Sequence, residues 1–253
     1  MKFINNSLLA LACGDSYGSC YERDGLVGVK FDVNILPDKP KTPIVTDDTK
    51  MATILLKHYK KYNGIDVEKL FLEYKYWART EGYKDGIGIH TRAVLLEGKA
   101  DKDSQGNGAL MRVIPFGAEL ISDGYSFKEA VCLMNIDSAI THKNTSVFMA
   151  NKLCLDITIN GIEAVNKKEY QGLLSNLYSG DTAWVLHTLY IVIETLQKEL
   201  NFLDGFKYIV SQGGDTDTNC AIYGAIRGGL DNISTELDIL DFISKRDILL
   251  INK

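Results

Sequence analysis

The residues of this chain best suited to chemistry are two short clusters of oxygen-bearing side chains, far apart in sequence. The first reads Thr46-Asp47-Asp48-Thr49. The second reads Asp215-Thr216-Asp217-Thr218 and is entered through Gly213-Gly214. Carboxylates this close repel unless a proton or a cation sits between them. Carboxylate and hydroxyl oxygens are also the ligands that Mg²⁺ selects, in octahedral geometry. A fold that joins the clusters therefore builds a two-metal site. Asp and Thr are good helix caps as well, so each cluster alone reads equally as an acidic helix start. The second cluster opens Asp-x-Asp-x-Asn, like a calcium-hand loop. It departs from that loop at the sixth position, Cys220, and at the twelfth, Ile226, where Gly and Glu are needed.

Most segments that must position these residues have helical periodicity. After Asp48, the residues Met51, Ile54, Leu55, His58 and Tyr59 share one face. Asp66 caps a following helix that carries Leu70, Phe71, Tyr74 and Trp77, and Ser126 with Glu129 forms a capping-box signal. Helical patterns continue over about 145–158 and 182–199. Another helix opens at Thr218 through Ala221, Ile222, Ala225 and Ile226, and a last one covers about 236–251. Trp77, Trp184 and the tyrosines lie at helical spacing and read as core, as do His58 and His187. Val27 to Ile35 alternates weakly, as a short strand or an extended loop. Neither GxGxxG after a strand nor GxxxxGK[ST] occurs, so neither a dinucleotide fold nor a P-loop is supported. The expectation is one compact all-α domain over residues 1–253.

The chain has 253 residues, 45% hydrophobic and 24% charged, with a formal net charge of −5. This is an ordinary globular balance, and it lacks the basic footprint of nonspecific nucleic-acid binding. The five cysteines, Cys13, Cys20, Cys132, Cys154 and Cys220, are odd in number and show no CxxC spacing. They read as free thiols in a reducing compartment. Leu8 to Cys13 has the look of a short signal-peptide core, but only Lys2 precedes it and the apolar run is short. Residues 5–17 are expected as a buried helix, and the chain as a cytoplasmic monomer with no membrane partner.

Further motifs lie between and around the acidic clusters. They are Gly14-Asp15-Ser16-Tyr17-Gly18-Ser19-Cys20-Tyr21-Glu22, Gly86-Ile87-Gly88-Ile89-His90-Thr91-Arg92, Gly106-Asn107-Gly108-Ala109-Leu110-Met111-Arg112, Thr141-His142 and Ala183-Trp184-Val185 with Thr188-Leu189. Together with both clusters, in this order, they resemble the signatures of the ADP-ribosylglycohydrolase family, which includes the enzyme that reactivates dinitrogenase reductase. The matches span residues 14–229.

The resemblance implies an all-helical fold and a binuclear magnesium centre, with Mn²⁺ as a possible substitute. The implied ligands are Thr46, Asp47, Asp48, Asp215, Asp217 and Thr218. It implies hydrolysis of the glycosidic bond at C1″ of ADP-ribose attached to a protein side chain or a small acceptor. Glycoside cleavage passes through an oxocarbenium-like transition state and uses carboxylates beside the anomeric carbon. Glu22 or Asp48 is the candidate general base, with Glu22 preferred and Asp48 mainly a ligand. Glu22 is also a candidate movable ligand on an entrance flap, which is trimmed here because so few residues separate it from Thr46. Ser104, Gln105, Gly106, Asn107 and Gly108 are expected to form a loop whose N–H groups hold the pyrophosphate. Gly88 and His142 are further candidates for substrate binding, and His142 reads equally as a capping residue. Arg112 and Asp15 read as structural, His90 as close to the site, and Tyr21 as the first aromatic to test against adenine. Other readings are a hydrolase of ADP-ribose-like nucleotides or a noncatalytic ADP-ribose binder.

Overall fold

A computed structural model describes residues 6–22, 29–180, 183–230 and 239–252. Among these residues the regular structure is helical, and the extended pairing consists of an isolated bridge between Gly106 and Trp184. The helices that matter for the site are α1 (Asn6–Gly18), α2 (Asp47–Tyr62), α3 (Val67–Thr80), α4 (Gly82–Asp85) and α5 (Ile89–Glu97). They are followed by α6 (Leu110–Ser122), α7 (Phe127–Ser138), α8 (Thr145–Asn160), α9 (Gln171–Leu174), α10 (Val185–Gln197), α11 (Phe202–Gln212) and α12 (Thr216–Leu230). Two short helices, α13 (Ile239–Phe242) and α14 (Lys245–Asn252), close the chain.

Local signals explain several boundaries. Asp66 caps α3 by accepting from the Lys69 N–H at 3.1 Å, and Ser126 and Glu129 form the reciprocal capping box of α7. The described part of the weakly alternating stretch resolves as irregular backbone over 29–32 and a 3₁₀ turn over Val33–Ile35, capped by Asp32, and not as a strand. The first residues of the stretch, 27–28, lie outside the described residues, as do 236–238 of the expected last helix and residues 23–28 of the segment after Glu22 expected as a flap. Among the described residues no helix is long and apolar enough to cross a membrane.

The centre of the molecule is the pair α1 and α12. Helix α1 is buried on every side from Ser7 to Gly18, which is why its sequence shows no amphipathic stripe. It lies against α12 backbone to backbone. A Cβ on Gly14 would overlap the Cys220 carbonyl, and one on Gly18 would overlap the Thr216 carbonyl; Gly224 of α12 meets the Ala10 carbonyl in the same way. Helices α2, α6, α8, α10 and α11 surround this pair. Rings of Tyr17, Phe202, Phe206, Tyr223 and Phe242 fill the base of the core.

Candidate active site

Helix α1 holds both acidic clusters. On one side, the buried carboxylate of Asp15 accepts from the Thr46 N–H at 3.1 and 2.9 Å and from Thr46 Oγ1 at 2.7 Å. It also accepts from the Thr49 N–H at 3.2 Å and Thr49 Oγ1 at 2.5 Å. These bonds satisfy N–H donors at the start of α2 that the helix itself cannot. Thr46 is the N-cap of α2, yet its hydroxyl makes no capping bond within α2. On the other side, the glycine contacts seat α1 on the first turn of α12. The chain leaves α1 through a single 3₁₀ turn and delivers Glu22, whose Oε1 accepts from the Asp217 N–H at 3.2 Å and from Thr216 Oγ1 at 3.3 Å.

The two clusters meet. Thr218 Oγ1 donates to Asp48 Oδ2 at 3.5 Å, and Thr46 Oγ1 lies 3.2 Å from the same oxygen. One carboxylate oxygen each from Glu22, Asp215 and Asp217 falls within 4.8 Å of the others. Asp47 and Asp48 stand outside that tight group, on the α2 side. Asp215 is fixed by Asn107 Nδ2 at 2.6 Å, and Asn107 also donates to Thr188 Oγ1 at 2.9 Å.

Burial and crowding dominate the electrostatics. Burial first and Asp215 second push the Glu22 carboxyl up to about 8. Burial and the neighbouring acids hold Asp47, Asp48 and Asp217 well above the ordinary carboxylate range. Asp15, although buried, rises only to about 6, because Thr46 and Thr49 offset its desolvation. Among the described residues, Asp48 Oδ1 is buried with no hydrogen-bond partner, and those around the cavity include neither Lys nor Arg. A hard-oxygen set with an orphaned oxygen and no countercharge fits a divalent cation.

These groups floor a cavity of about 380 Å³. Glu22, Asp47, Asp215, Asp217 and Thr218 line it, with Gly88, Gly106, Asn107, Gly108 and His142 around them. Thr46 and Asp48 lie beneath, nearly inaccessible. Two glycine segments come close to the acids. The Gly88 N–H supports the Asp47 carboxylate, and a Cβ on Gly86 would stand 3.7 Å from Asp47 Oδ1. Ser104 and Gln105 precede the cavity wall and do not line it; the Gln105 carbonyl accepts from the Val185 N–H at 2.8 Å. The Asn107 N–H is already given to the Ala183 carbonyl at 3.1 Å, so it is not free for a ligand. His142 is buried beneath the second glycine segment with its ring against His90, and His90 lines the same cavity. Arg112 is a buried partner of Asp137 at 2.8 Å.

Two aromatic expectations change. Tyr21 is buried, its ring packed on Tyr17 and Phe31, so no ligand reaches it. Trp184 is not core. Its side chain is half exposed, beside Tyr178 and next to the cavity-lining Ala183. Helical spacing misplaced it because α10 begins one residue later, at Val185, and Trp184 is its extended N-cap. Tyr76 and Tyr83 are likewise exposed. Sequence reading also missed Asn107 as the anchor of Asp215; its adjacency to two glycines pointed to backbone contacts and hid the carboxamide.

A family model described as ADP-ribosylglycohydrolase matches residues 4–237. A protein of Acanthamoeba polyphaga mimivirus, provisionally named an ADP-ribosyl glycohydrolase, is 23% identical over 288 aligned positions, covering 89% of this chain and 86% of its own. A solved structure described as an ADP-ribosylglycohydrolase-related protein complex superposes with a TM-score of 0.74 at 20% identity, over 97% of this chain and 94% of that one.

Proposed function

This chain belongs to the ADP-ribosylglycohydrolase family, and we propose that it is a Mg²⁺-dependent hydrolase. Its substrate would be ADP-ribose joined through C1″ to a protein side chain or a small acceptor, and its product free ADP-ribose. The observation that carries this reading is the meeting of Glu22, Asp215 and Asp217 at the floor of a cavity walled by glycine segments.

Thr46, Asp47, Asp48, Asp215, Asp217 and Thr218 would hold the cations, which bring Lewis-acid charge that orients ribose hydroxyls and water; Mn²⁺ would fit the same oxygen donors. Glu22 is the better general base of the two candidates, because it opens onto the cavity while Asp48 lies below the floor. The water oxygen bonds to C1″ as the C1″–acceptor bond breaks. One water proton passes to Glu22 and from there to the departing acceptor, which leaves neutral. Gly106 and Gly108 let the cavity wall close onto His142, which Cβ atoms there would crowd. Trp184, half exposed at the rim, offers a flat face for the adenine.

The test is a panel of arginine-, serine- and O-acetyl-linked ADP-ribose, assayed with and without Mg²⁺. Release of ADP-ribose from one or more linkages, lost on chelation, is expected. Release of AMP or phosphate would instead favour a nucleotide hydrolase, and tight ADP-ribose binding without turnover a noncatalytic binder. Glu22→Gln is expected to keep substrate binding and lose turnover; an unchanged rate would move the base to Asp48.

A further inference from the structure

A buried relay of hydrogen bonds runs from Arg112 through Thr141 to His142. It starts at Arg112, whose guanidinium can only donate. Nε donates to Asp137 Oδ2 at 2.8 Å, and Nη1 to the Gly108 carbonyl at 2.7 Å. Nη2 donates to the Asp137 carbonyl at 3.3 Å and to Thr141 Oγ1 at 3.0 Å. Asp137 is occupied on its other oxygen by the Tyr74 hydroxyl at 2.8 Å. Both members of the ion pair are fully buried, so the guanidinium is locked.

Thr141 Oγ1 thus accepts a hydrogen bond from Arg112 and has a proton of its own to donate. Among the described residues, its other hydrogen-bonding neighbour is His142 Nδ1, at 2.9 Å. Of the two directions open to this pair, only donation to Nδ1 gives the buried hydroxyl proton a partner among the described residues. A nitrogen that accepts carries its lone pair, so the neutral ring keeps its single proton on Nε2. The ring is neutral because burial, Arg112 and His90 push its pKa down to about 3. Its Nε2 edge faces the second glycine segment, 3.0 Å from where a Cβ on Gly106 would stand, and His142 lines the cavity.

We infer that Arg112 and Thr141 are positioning residues that fix His142 in its Nε2–H form, making it a hydrogen-bond donor to an oxygen of the ADP-ribosyl ligand and not a proton acceptor. The inference rests on the proposed function for the identity of that ligand, but not for the relay. The same guanidinium holds the Gly108 carbonyl, so one buried cation sets both the glycine segment and the donor beneath it. His142 would then act alongside Glu22 without competing with it for protons.

The test uses the full-length protein with ¹⁵N-labelled histidine, four residues in all, with the His142 signals assigned by their loss in His142→Gln. In free wild-type protein, long-range ¹H–¹⁵N spectra are expected to show an unprotonated Nδ1 and a protonated Nε2, unchanged across neutral pH. Thr141→Ser should preserve that pattern, and Thr141→Val should lose it to a mixture or to the opposite tautomer. The dissociation constant for ADP-ribose, measured by calorimetry, should rise about tenfold in Thr141→Val, the scale of one hydrogen bond to a charged group, and recover in Thr141→Ser. A wild-type ring protonated on Nδ1 would overturn the inference without any variant. So would Thr141→Val with an unaltered spectrum, or an altered spectrum with unaltered affinity. If wild-type protein failed to bind ADP-ribose at all, the proposed function and the named ligand would fall together, while the ring spectrum would still decide the relay.

Discussion

Thr218 Oγ1 lies 3.5 Å from Asp48 Oδ2, although 170 positions separate the two residues in sequence. The contact is the seam between α2 and α12, and it exists because α1 is bonded to one helix through Asp15 and pressed on the other through Gly14 and Gly18. Asp47 and Asp215 stand on opposite sides of that seam and line one cavity. Replacing either by Ala should therefore disable the same proposed metal site. We expect Asp47→Ala and Asp215→Ala each to lower Mg²⁺-dependent release of ADP-ribose by roughly 100-fold or more, the order seen when metal ligands or their supports are removed. EDTA should silence wild-type protein, and added Mg²⁺ should restore it. Full activity in either variant would remove that residue from the ligand set.

The crowded acids also set how metal-free protein responds to pH. Glu22 rises to about 8, and Asp47, Asp48 and Asp217 are raised well above the usual value, chiefly by burial. A raised carboxyl binds more protons in the folded than in the unfolded state between its two pKa values. The slope of stability against pH is therefore negative across that window. In EDTA, Tm should fall by roughly 5 °C or more between pH 5 and pH 8. Saturating Mg²⁺ should flatten or invert this trend, because bound carboxylates are already deprotonated. Differential scanning calorimetry at both pH values checks it, and a metal-free Tm that rises toward pH 8 would contradict the assigned burial.

The acidic clusters were legible because oxygen ligands in hard-cation sites come from a small set of residue types, and the helices because apolar spacing repeats. Asp66 announced its cap by residue type, and Ser126 by its spacing to Glu129. The part that periodicity could not supply is orientation at helix ends. Trp184 sits one residue outside α10, and that single step turns its ring from the core toward solvent. Tyr21 fails in the opposite sense: it lies next to Glu22 in sequence, yet its ring turns back onto Tyr17. Asn107 anchors Asp215 across 108 positions, a pairing that no local pattern encodes. Arg112 was read as structural, which its burial supports, but the chain of contacts that it starts through Thr141 becomes visible only from the distances.

Gly18 gives a test of the seam that touches no ligand. A Cβ there would overlap the Thr216 carbonyl and press on the Asp217 backbone. Because the clash is with backbone, α1 and α12 must separate, and Glu22 moves away from the Asp217 N–H with them. Gly18→Ala should cost roughly 2–3 kcal/mol of stability, in the range of overpacked cores, and weaken Mg²⁺ binding measured by calorimetry. Gly64→Ala is the matched control, since nothing stands within 4 Å of a Cβ at that position; it should leave both quantities unchanged within error. Equal behaviour of the two variants would mean that the helices tolerate separation without loss of the site.

Trp184 and Tyr21 separate an aromatic that can meet a base from one that cannot. Trp184 is 50% exposed, with its ring 5.9 Å from the Tyr178 ring, on a backbone bridged to Gly106 at the cavity wall. Stacking a base on an exposed aromatic contributes about 1–3 kcal/mol, which corresponds to roughly 5- to 150-fold in affinity. Trp184→Ala should weaken ADP-ribose binding within that range, Trp184→Phe should recover most of it, and affinity for ribose 5-phosphate, which lacks the base, should not change. Tyr21 is the reverse case. It is buried, with its ring packed on Tyr17 and Phe31, so Tyr21→Phe keeps that packing and should leave ligand affinity untouched. An equal loss of ADP-ribose and ribose 5-phosphate affinity in Trp184→Ala would show that the residue shapes the wall, and that adenine lies elsewhere.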